Sequence, residues 1–522
     1  MFIIFLKGSG YMKLKKIFAS LLSLGLILSP IRVFADDDIV AVASDNSAYT
    51  SYKGAWAAAT SGLKVSMLQD WNISSRLVVP EGANVTVEMN GCKINRNLGS
   101  ECEMDGEVIY LSKNSTLTLS GENYKNTQFS FKGYDQKSNL SDQNITSGGL
   151  VTGGASSNGG GGIHMKEGSK LYLNNVAIAG NYSGQLNKEG GGININNEDC
   201  QVHMTNSIIA YNKATCGGGI YVAGENEQIV MDASSICHNY SYHEGGGIYS
   251  NKDATYITMI NNSSINDNTA GQEGGGIYFD NPYCQVRSSD GTGKISNNTT
   301  SRSGGGIYFC NSSRGDTQIV ENITLESNEA SSCGGAIYAN QEDLTIKDCI
   351  LSKNYASYGG AIFVAADDTH VKDCTIQENI ASKEGGGINV SNLTDVYLDG
   401  KMIVDNNLRS DASKDDVFLG KTWPSQAYIS GTPSSESHVG IRCDNERKVG
   451  INQTEDNGSF FSDEDNYKIT YKDGNLYKES GSVLGAVFGN ANLGAAIVVI
   501  GGIAAIGVIA LIISKKKNHV EA

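Results

Sequence analysis

Six aromatic residues recur at nearly regular spacing and are the first candidates for a binding function. Each follows the isoleucine of a Gly-Gly-Gly-Ile or Gly-Gly-Ala-Ile segment, and successive members lie 25 to 30 residues apart. Neighbouring side chains of a strand point to opposite faces, so the pattern predicts buried isoleucines and an exposed aromatic stripe. Such a stripe suits sugar rings or a partner's surface, although stacked aromatics also stabilise strands without any ligand. The predicted binding residues are Tyr221, Tyr249, Tyr278, Tyr308, Tyr338 and Phe363.

Acidic residues stand just before several of the glycine segments. They are Glu189, Glu244, Glu273 and Glu384. Glu244 and Glu273 fall in adjacent repeats, so their carboxylates could share a weakly held Ca²⁺. A solvated acidic edge explains the same residues without a metal, and we adopt that interpretation.

Catalysis on polysaccharides is an alternative, because it needs paired carboxylates, or an acidic cluster with a basic residue, in one cleft. Asp348 and Asp373 occupy equivalent positions, beside Lys347 and Lys372. A repeated Lys-Asp pair is more simply a salt-bridged surface. The motifs of nucleophilic and metal-dependent hydrolases do not occur in the sequence. We therefore predict no catalytic residue, and keep a lyase or glycoside hydrolase as the alternative.

The chain has 11 cysteines, an odd number, and no Cys-x-x-Cys motif, so the spacing predicts no disulfide framework. Cys349 and Cys374 lie at equivalent positions and should point inward, either to pack as small apolar groups or to form a bridge. Cysteine and histidine residues do not occur at the spacing of metal ligands. The sequence thus predicts neither a metal nor a cofactor.

These residues are carried by an internal repeat. The isoleucines of the glycine segments recur every 25 to 30 residues, which is typical of a solenoid. A second mark is Ile or Leu followed three residues later by Asn, as in Ile265/Asn268, with Ile403/Asn406 the last pair. A third is short alternation, as in Ile257/Met259, which indicates a strand with one buried face. The repeat therefore predicts about three strands per coil of a parallel β-helix, and the whole is all-β.

The repeats resemble those of the chlamydial polymorphic outer-membrane proteins, which pair a Gly-Gly-Ala-Ile motif with a Phe-x-x-Asn motif. Gly-Gly-Ala-Ile occurs here at 334–337 and 359–362, whereas Ile or Leu replaces the Phe of the second motif. The resemblance covers about residues 150–410. It implies a right-handed, surface-exposed β-helix that acts in adhesion.

The ends of the chain predict an exported protein. Residues 1–35 resemble a signal peptide, with Lys13, Lys15 and Lys16 before an apolar run. Residues 493–514 are apolar and are followed by lysines, which predicts one transmembrane helix and a cytoplasmic tail at 515–522.

The segments between these ends complete the predicted domain organisation. Residues 36–150 hold a short helical cap, around Trp56, and the first coils. The repeats occupy residues 151–410, the last coils occupy 411–480, and residues 481–492 form a linker. We expect a single-pass cell-membrane protein with its β-helix outside the cell.

The composition narrows the class of partner. Charged residues make up 18% of the chain and the formal net charge is −16, which disfavours nucleic acid. We therefore expect an adhesin or a carbohydrate- or partner-binding surface protein. Its partner would be a host or neighbouring-cell surface component or a polysaccharide. A polysaccharide lyase or glycoside hydrolase of the pectate-lyase-like β-helix type is the alternative.

Overall fold

The computed structural model describes most of the chain between residues 39 and 481. The chain divides into two units, Met1–Glu479 and Ser480–Ala522, and the coils belong to the first. The described ranges are 39–98, 102–122, 127–131, 143–157, 159–184, 190–280, 283–310, 318–391, 394–420, 428–443, 447–450 and 458–481.

The repeats fold into a parallel β-helix, as predicted, but each complete coil contributes four strands rather than three. We number the four ladders of paired strands in chain order within one coil, starting from the alternating strand and ending with the strand that follows the glycines. Ladder 1 holds the alternating strands, ladder 2 the Ile-x-x-Asn strands, and ladder 4 the strands that begin at the isoleucine of the glycine segment. Ladder 3, which we did not predict, is a short strand directly after the asparagine.

Most strands of ladders 1 and 2 bury alternate residues, although Leu150–Thr152 and Ala177–Ala179 bury all three. Ladder 1 comprises Ala41–Ala43, Val65–Met67, Asn84–Glu88, Thr116–Ser120, Lys170–Asn174, Gln201–Thr205, Glu227–Asp232, Thr255–Ile260, Gln285–Ser288, Gln318–Glu321, Leu344–Lys347, Thr369–Lys372, Asp395–Asp399, Tyr428–Ser430 and Arg447–Gly450. Ladder 2 comprises Trp71–Asn72, Lys93–Asn95, Leu150–Thr152, Ala177–Ala179, Ile208–Ala210, Ser235–Cys237, Ser264–Asn266, Lys294–Ser296, Thr324–Glu326, Ile350–Ser352, Thr375–Gln377, Ile403–Asp405, His438–Arg442 and Phe460–Ser462.

Ladders 3 and 4 flank the glycines. Ladder 3 comprises Ala155–Ser156, Tyr182–Ser183, Lys213–Ala214, Tyr240–Ser241, Thr269–Ala270, Thr299–Thr300, Glu329–Ala330, Tyr355–Tyr358, Ile380–Glu384 and Leu408–Arg409. Ladder 4 comprises Leu77–Val79, Ile109–Leu111, Ile163–Met165, Ile193–Ile195, Ile220–Val222, Ile248–Ser250, Ile277–Phe279, Ile307–Phe309, Ile337–Ala339, Ile362–Val364, Ile388–Val390 and Val417–Leu419. The remaining strands are Ala48–Tyr49, Thr127–Phe131, Gln143–Ser147, Tyr467–Lys472 and Asn475–Ser480.

Each apolar residue of a coil meets its counterpart on the next. Ile248 pairs with Ile277, and Ile277 with Ile307, in one parallel register. All three side chains are fully buried. Burying one such side chain stabilises the fold by about 1.5–3 kcal/mol, so the stacked isoleucines of ladder 4 are a main source of stability.

The turn after ladder 2 is held by a chain of buried asparagine side chains, which we call the asparagine chain. The Asn268 Oδ1 accepts from both the backbone N–H and the Nδ2 of Asn239, each at 3.0 Å. The Asn268 Nδ2 in turn donates to the Ile236 carbonyl at 2.9 Å and to Asn298 Oδ1 at 3.0 Å. Equivalent bonds join Asn181, Asn212, Asn239, Asn268, Asn298, Asn328, Asn354, Asn379 and Asn407.

The last member of the asparagine chain is Asn407, so the prediction that Ile403 and Asn406 form the last Ile-x-x-Asn pair is wrong. Ile376 pairs with Val404, so Val404 is the core residue of its coil and the residue three positions later is Asn407. Asn407 donates to Asp416 Oδ1 through its backbone N–H and its Nδ2, each at 2.8 Å. The asparagine chain therefore ends on a carboxylate.

Glycine is required where neighbouring coils approach most closely. Gly274 has a φ of +68°, a conformation that L side chains rarely adopt. A Cβ on Gly275 would stand 2.4 Å from the Gly305 carbonyl oxygen of the next coil. The glycine segments thus permit both a left-handed corner and direct contact between backbones.

The predicted N-terminal helix spans Tyr52–Thr60 and begins after Ser51, whose hydroxyl accepts from the Gly54 N–H. Its Trp56 is buried in the main core, and the Trp56 Nε1 donates to the Val78 carbonyl at 2.9 Å. The helix therefore packs on the first coils, in the position expected of a cap.

The predicted C-terminal transmembrane helix is not supported. In the part of the chain that the structure describes, no helix is both long enough and apolar enough to span a membrane. The apolar segment 493–514 lies outside the described residues, as do the predicted signal peptide 1–35, the tail 515–522 and all but the first residue of the predicted linker 481–492.

We predict that Asn268→Ala strongly lowers the unfolding midpoint in denaturant. It leaves the buried Asn239 backbone N–H without its partner, removes one of the two acceptors of the Asn239 Nδ2 and removes the side-chain donor to the Ile236 carbonyl. Each buried group left unpaired costs about 1–3 kcal/mol. Asn196→Ala, at an exposed position, is the matched control and should stay close to wild type. Equal midpoints for the two variants would show that the asparagine chain does not stabilise the coils.

Candidate functional site

The six predicted aromatic residues stack face to face along ladder 4. Successive rings from Tyr221 to Phe363 have centroids 5.3, 5.2, 5.0, 4.7 and 5.5 Å apart, and interplanar angles between 3° and 8°. The side chains lie on the outer side of the strands because the isoleucine before each of them is buried in the core. The aromatic stack predicted from the repeat is therefore present.

The predicted exposure of this stack is wrong for its first half. Tyr249 is only 1% exposed, and Tyr221 and Tyr278 are also buried, whereas Tyr308, Tyr338 and Phe363 are half-buried. Cys216 belongs to the same buried cluster as these rings, and Ala223 and Cys310 pack against it. Alternation along a strand identifies the outer side of the coil, but does not show whether neighbouring turns cover that side.

The buried tyrosines are kept neutral. Burial is the main cause that raises the pKa of Tyr249, and Asp280 is the next. The pKa of Tyr278 is raised by burial and then by its hydrogen bond with Cys310. The Asn251 Nδ2 donates to the Tyr221 hydroxyl at 3.0 Å. The first half of the stack thus behaves as a second, smaller core, and the half-buried rings are the part that a partner could touch.

A groove of about 860 Å³ that sequence reasoning missed runs beside ladder 2. It crosses five successive coils, and amide and hydroxyl groups supply most of its polar lining. The side chains of the lining include Glu122, Thr146, Asn174, Thr205, Asn262 and Ser264. Coils repeat about every 4.8 Å, so the groove offers donors and acceptors in a linear array.

A hairpin outside the coils contributes Thr146 to the lining of this groove. Its strands, Thr127–Phe131 and Gln143–Ser147, are antiparallel. Phe129, Phe131 and Ile145 pack on alanines of ladder 2, which fixes the hairpin against the coils. No repeat signal marks the hairpin, and this is why the sequence did not indicate the groove.

A buried acidic cluster lies at the end of the asparagine chain. The Asp463 Oδ2 accepts from the Asp416 N–H at 2.8 Å, and Arg442 is 3.3 Å from Asp415. Asp415 and Asp416 are fully buried. Burial and then the charge of Asp416 raise the pKa of Asp463 to about 8. Burial raises the pKa of Asp415 to about 6 despite Arg442.

The acidic residues before the glycines do not form the paired site considered from the sequence. Glu273 contacts Arg302 at 3.2 Å, and Glu189 lies outside the described residues. Glu244 instead approaches Cys216, with 2.9 Å between its Oε2 and the sulfur, and His243 lies beside both. Sequence reasoning missed this group because Cys216 and Glu244 are 28 residues apart.

The cysteines agree with the prediction of inward packing. Cys349 and Cys374 are each 1% exposed, and their thiols donate to backbone carbonyls, including those of Lys347 and Lys372, each at 3.1 Å. All 11 cysteines lie in described ranges, and the structure joins none of them in a disulfide.

Comparison with known proteins gives one match. The model of the Chlamydia polymorphic membrane protein repeat matches residues 322–340, a segment that includes Asn328 and Gly334. Searches of curated proteins and of solved structures found no match. The repeat match and the parallel β-helix support a β-helix similar to that family, and they fit a surface-exposed bacterial protein.

We predict that stability falls as the pH rises from about 4 to about 8. The folded pKa of Asp463 is raised from 3.8 to about 8, so its contribution is complete below the unfolded pKa and is lost as the pH passes the folded one. Asp463→Asn should flatten this slope in melting temperature against pH, whereas Asp465→Asn, at an exposed position, should keep it. Parallel slopes for wild type and Asp463→Asn would contradict the assignment.

Proposed function

We propose that the chain is a bacterial surface protein that binds carbohydrate, in the manner of an adhesin, and that the groove beside ladder 2 is its binding surface. The observation that carries this proposal is the lining of the groove. Amides and hydroxyls present both donors and acceptors, which is what a ring of sugar hydroxyls requires.

The length of the groove favours an extended ligand. The lining comes from five consecutive coils, and polar side chains such as Asn174 and Thr205 stand at paired positions of ladder 1. A linear array at the coil spacing suits a polysaccharide or a surface glycan better than a compact small molecule.

The charge of the chain favours a neutral sugar. The formal net charge is −16, and Glu122 adds a carboxylate to the groove itself. An anionic polymer would be repelled by both. We therefore propose a neutral polysaccharide or glycan of a host or neighbouring cell as the partner.

The exposed part of the aromatic stack is a second candidate surface. Tyr308 and Tyr338 are half-buried, and their rings are 4.7 Å apart. Their accessible edges could contact a sugar ring or an apolar protein surface. We assign them a contributing role because a continuous exposed stripe of six rings is absent from these described residues.

We predict that the purified full chain is retained by neutral glycans on an array and that Asn174→Ala/Thr205→Ala weakens this binding at least tenfold. Neither residue is part of the asparagine chain, so the fold should be kept, as circular dichroism would show. Tyr308→Ala/Tyr338→Ala is the comparison variant and should lose less.

The other outcomes separate the alternatives. Loss of binding in the tyrosine variant alone would move the site to the aromatic stack. Shortened or unsaturated products would support the lyase or hydrolase alternative. Absence of retention by any glycan would overturn carbohydrate binding.

A further inference from the structure

Three side chains with different ligand atoms converge on the glycine side of the aromatic stack. They are Cys216, His243 and Glu244, and their sulfur, nitrogen and oxygen atoms all lie within 4.8 Å of one another. In the described part of the chain, no other group of three His, Cys, Asp or Glu residues is this close.

The coil stacking positions these groups. The His243 N–H donates to the Thr215 carbonyl at 2.9 Å, and the Gly217 N–H to the Glu244 carbonyl at 3.1 Å. Two backbone hydrogen bonds thus hold the two coils together on either side of the three side chains. The ligand atoms are therefore placed by paired backbone rather than by a flexible loop.

The burial of the three side chains gives the cluster an inner and an outer side. Cys216 is fully buried against Tyr221 and Tyr249, Glu244 is half-buried and His243 is exposed. An ion could therefore reach the cluster from solvent through His243 and be held on the inner side by the sulfur.

The short distance between the Cys216 sulfur and the Glu244 carboxylate requires a positive charge or a proton between them. A thiolate and a carboxylate 2.9 Å apart would repel, so a proton or a cation must lie between them. Without a metal, the thiol donates to Glu244. With a divalent cation, the thiol proton leaves to solvent, and the two negative charges neutralise the ion beside an apolar cluster.

Equivalent positions on other coils lack this combination. Cys333 also stands directly before a glycine of ladder 4, but its thiol contacts the Ser332 hydroxyl at 3.4 Å, and its coil neighbour is Tyr358. A cysteine before the glycines is thus not enough to form the cluster.

We propose that Cys216, His243 and Glu244 bind one Zn²⁺ ion. Zinc prefers a mixed set of thiolate, imidazole and carboxylate, at about 2.3 Å from sulfur and about 2.0–2.2 Å from nitrogen and oxygen. Tetrahedral sulfur and oxygen ligands at those lengths are about 3.5–3.7 Å apart, so the sulfur and Oε2, now 2.9 Å apart, must separate on loading. Three protein ligands leave a fourth position for an external ligand, which is typical of zinc sites that are not purely structural.

The experiment loads the purified full chain with Co²⁺ as a spectroscopic substitute and titrates it with Zn²⁺. We expect one ion per chain and a thiolate-to-cobalt charge-transfer band that Zn²⁺ abolishes. Cys216→Ser should remove the band, and His243→Ala should weaken Zn²⁺ binding at least tenfold. Cys333→Ser is the matched control and should retain both.

Two further measurements keep the proposal open to refutation if one variant folds poorly. The affinity should rise with pH, because the thiol must lose its proton to bind. Zn²⁺ should raise the melting temperature of wild type and of Cys333→Ser, but not that of Cys216→Ser. A charge-transfer band that persists in Cys216→Ser, or no band in wild type, would overturn the proposal.

Discussion

The buried asparagine chain is the constraint on which the rest of the structure depends. Each side-chain oxygen accepts from the coil before it, and each amide nitrogen donates both to the coil after it and to a core carbonyl, as at Asn268. A slip of one residue would leave these groups unpaired in the interior, at about 1–3 kcal/mol each. The asparagine chain therefore fixes the register of ladder 2, and ladders 3 and 4 follow in the same coil.

The coils differ in length, and the difference lies in a loop away from the turn that the asparagine chain holds. Asn298 and Asn328 are 30 residues apart, whereas Asn328 and Asn354 are 26 apart, yet both pairs make the same bond at 3.0 Å. The difference lies between ladders 4 and 1, where one coil runs from Phe309 to Gln318 and the next from Ala339 to Leu344. Ladder 1 nevertheless resumes in register after both loops, because Gln318 pairs with Leu344.

Much of the fold could be predicted from the sequence because burial imposes a period. The isoleucines of ladder 4, the alternation of ladder 1 and the Ile-x-x-Asn motif of ladder 2 revealed three of the four ladders. Ladder 3 escaped because strands of two residues, such as Thr269–Ala270, carry no pattern. Asn407 was missed because Ile403 and Val404 are both apolar, and only the pairing with Ile376 shows which of them is buried.

The candidate sites were harder to predict because they depend on insertions and on single residues that depart from the repeat. The groove needs a hairpin inserted outside the coils, and the acidic cluster joins Asp416 to a residue 47 positions later. The cover over Tyr249 comes from side chains such as Cys216 that the period places on the same side of the coil. Periodicity describes what the coils share, whereas each of these features depends on residues that the other coils lack.

A parallel β-helix turns each register position into a column of side chains spaced about 4.8 Å apart. In the column before the glycines, Cys216 is followed by Glu244 and Glu273, and Glu273 in turn lies 3.2 Å from Arg302. Changing one residue of such a column changes the chemistry between two coils while the backbone pairing stays the same. The asparagine chain maintains that pairing, so binding groups can diversify on the outside of the coils without cost to the core. This separation explains how a repetitive scaffold can present several unlike surfaces, and why its function is encoded in the positions where neighbouring repeats differ.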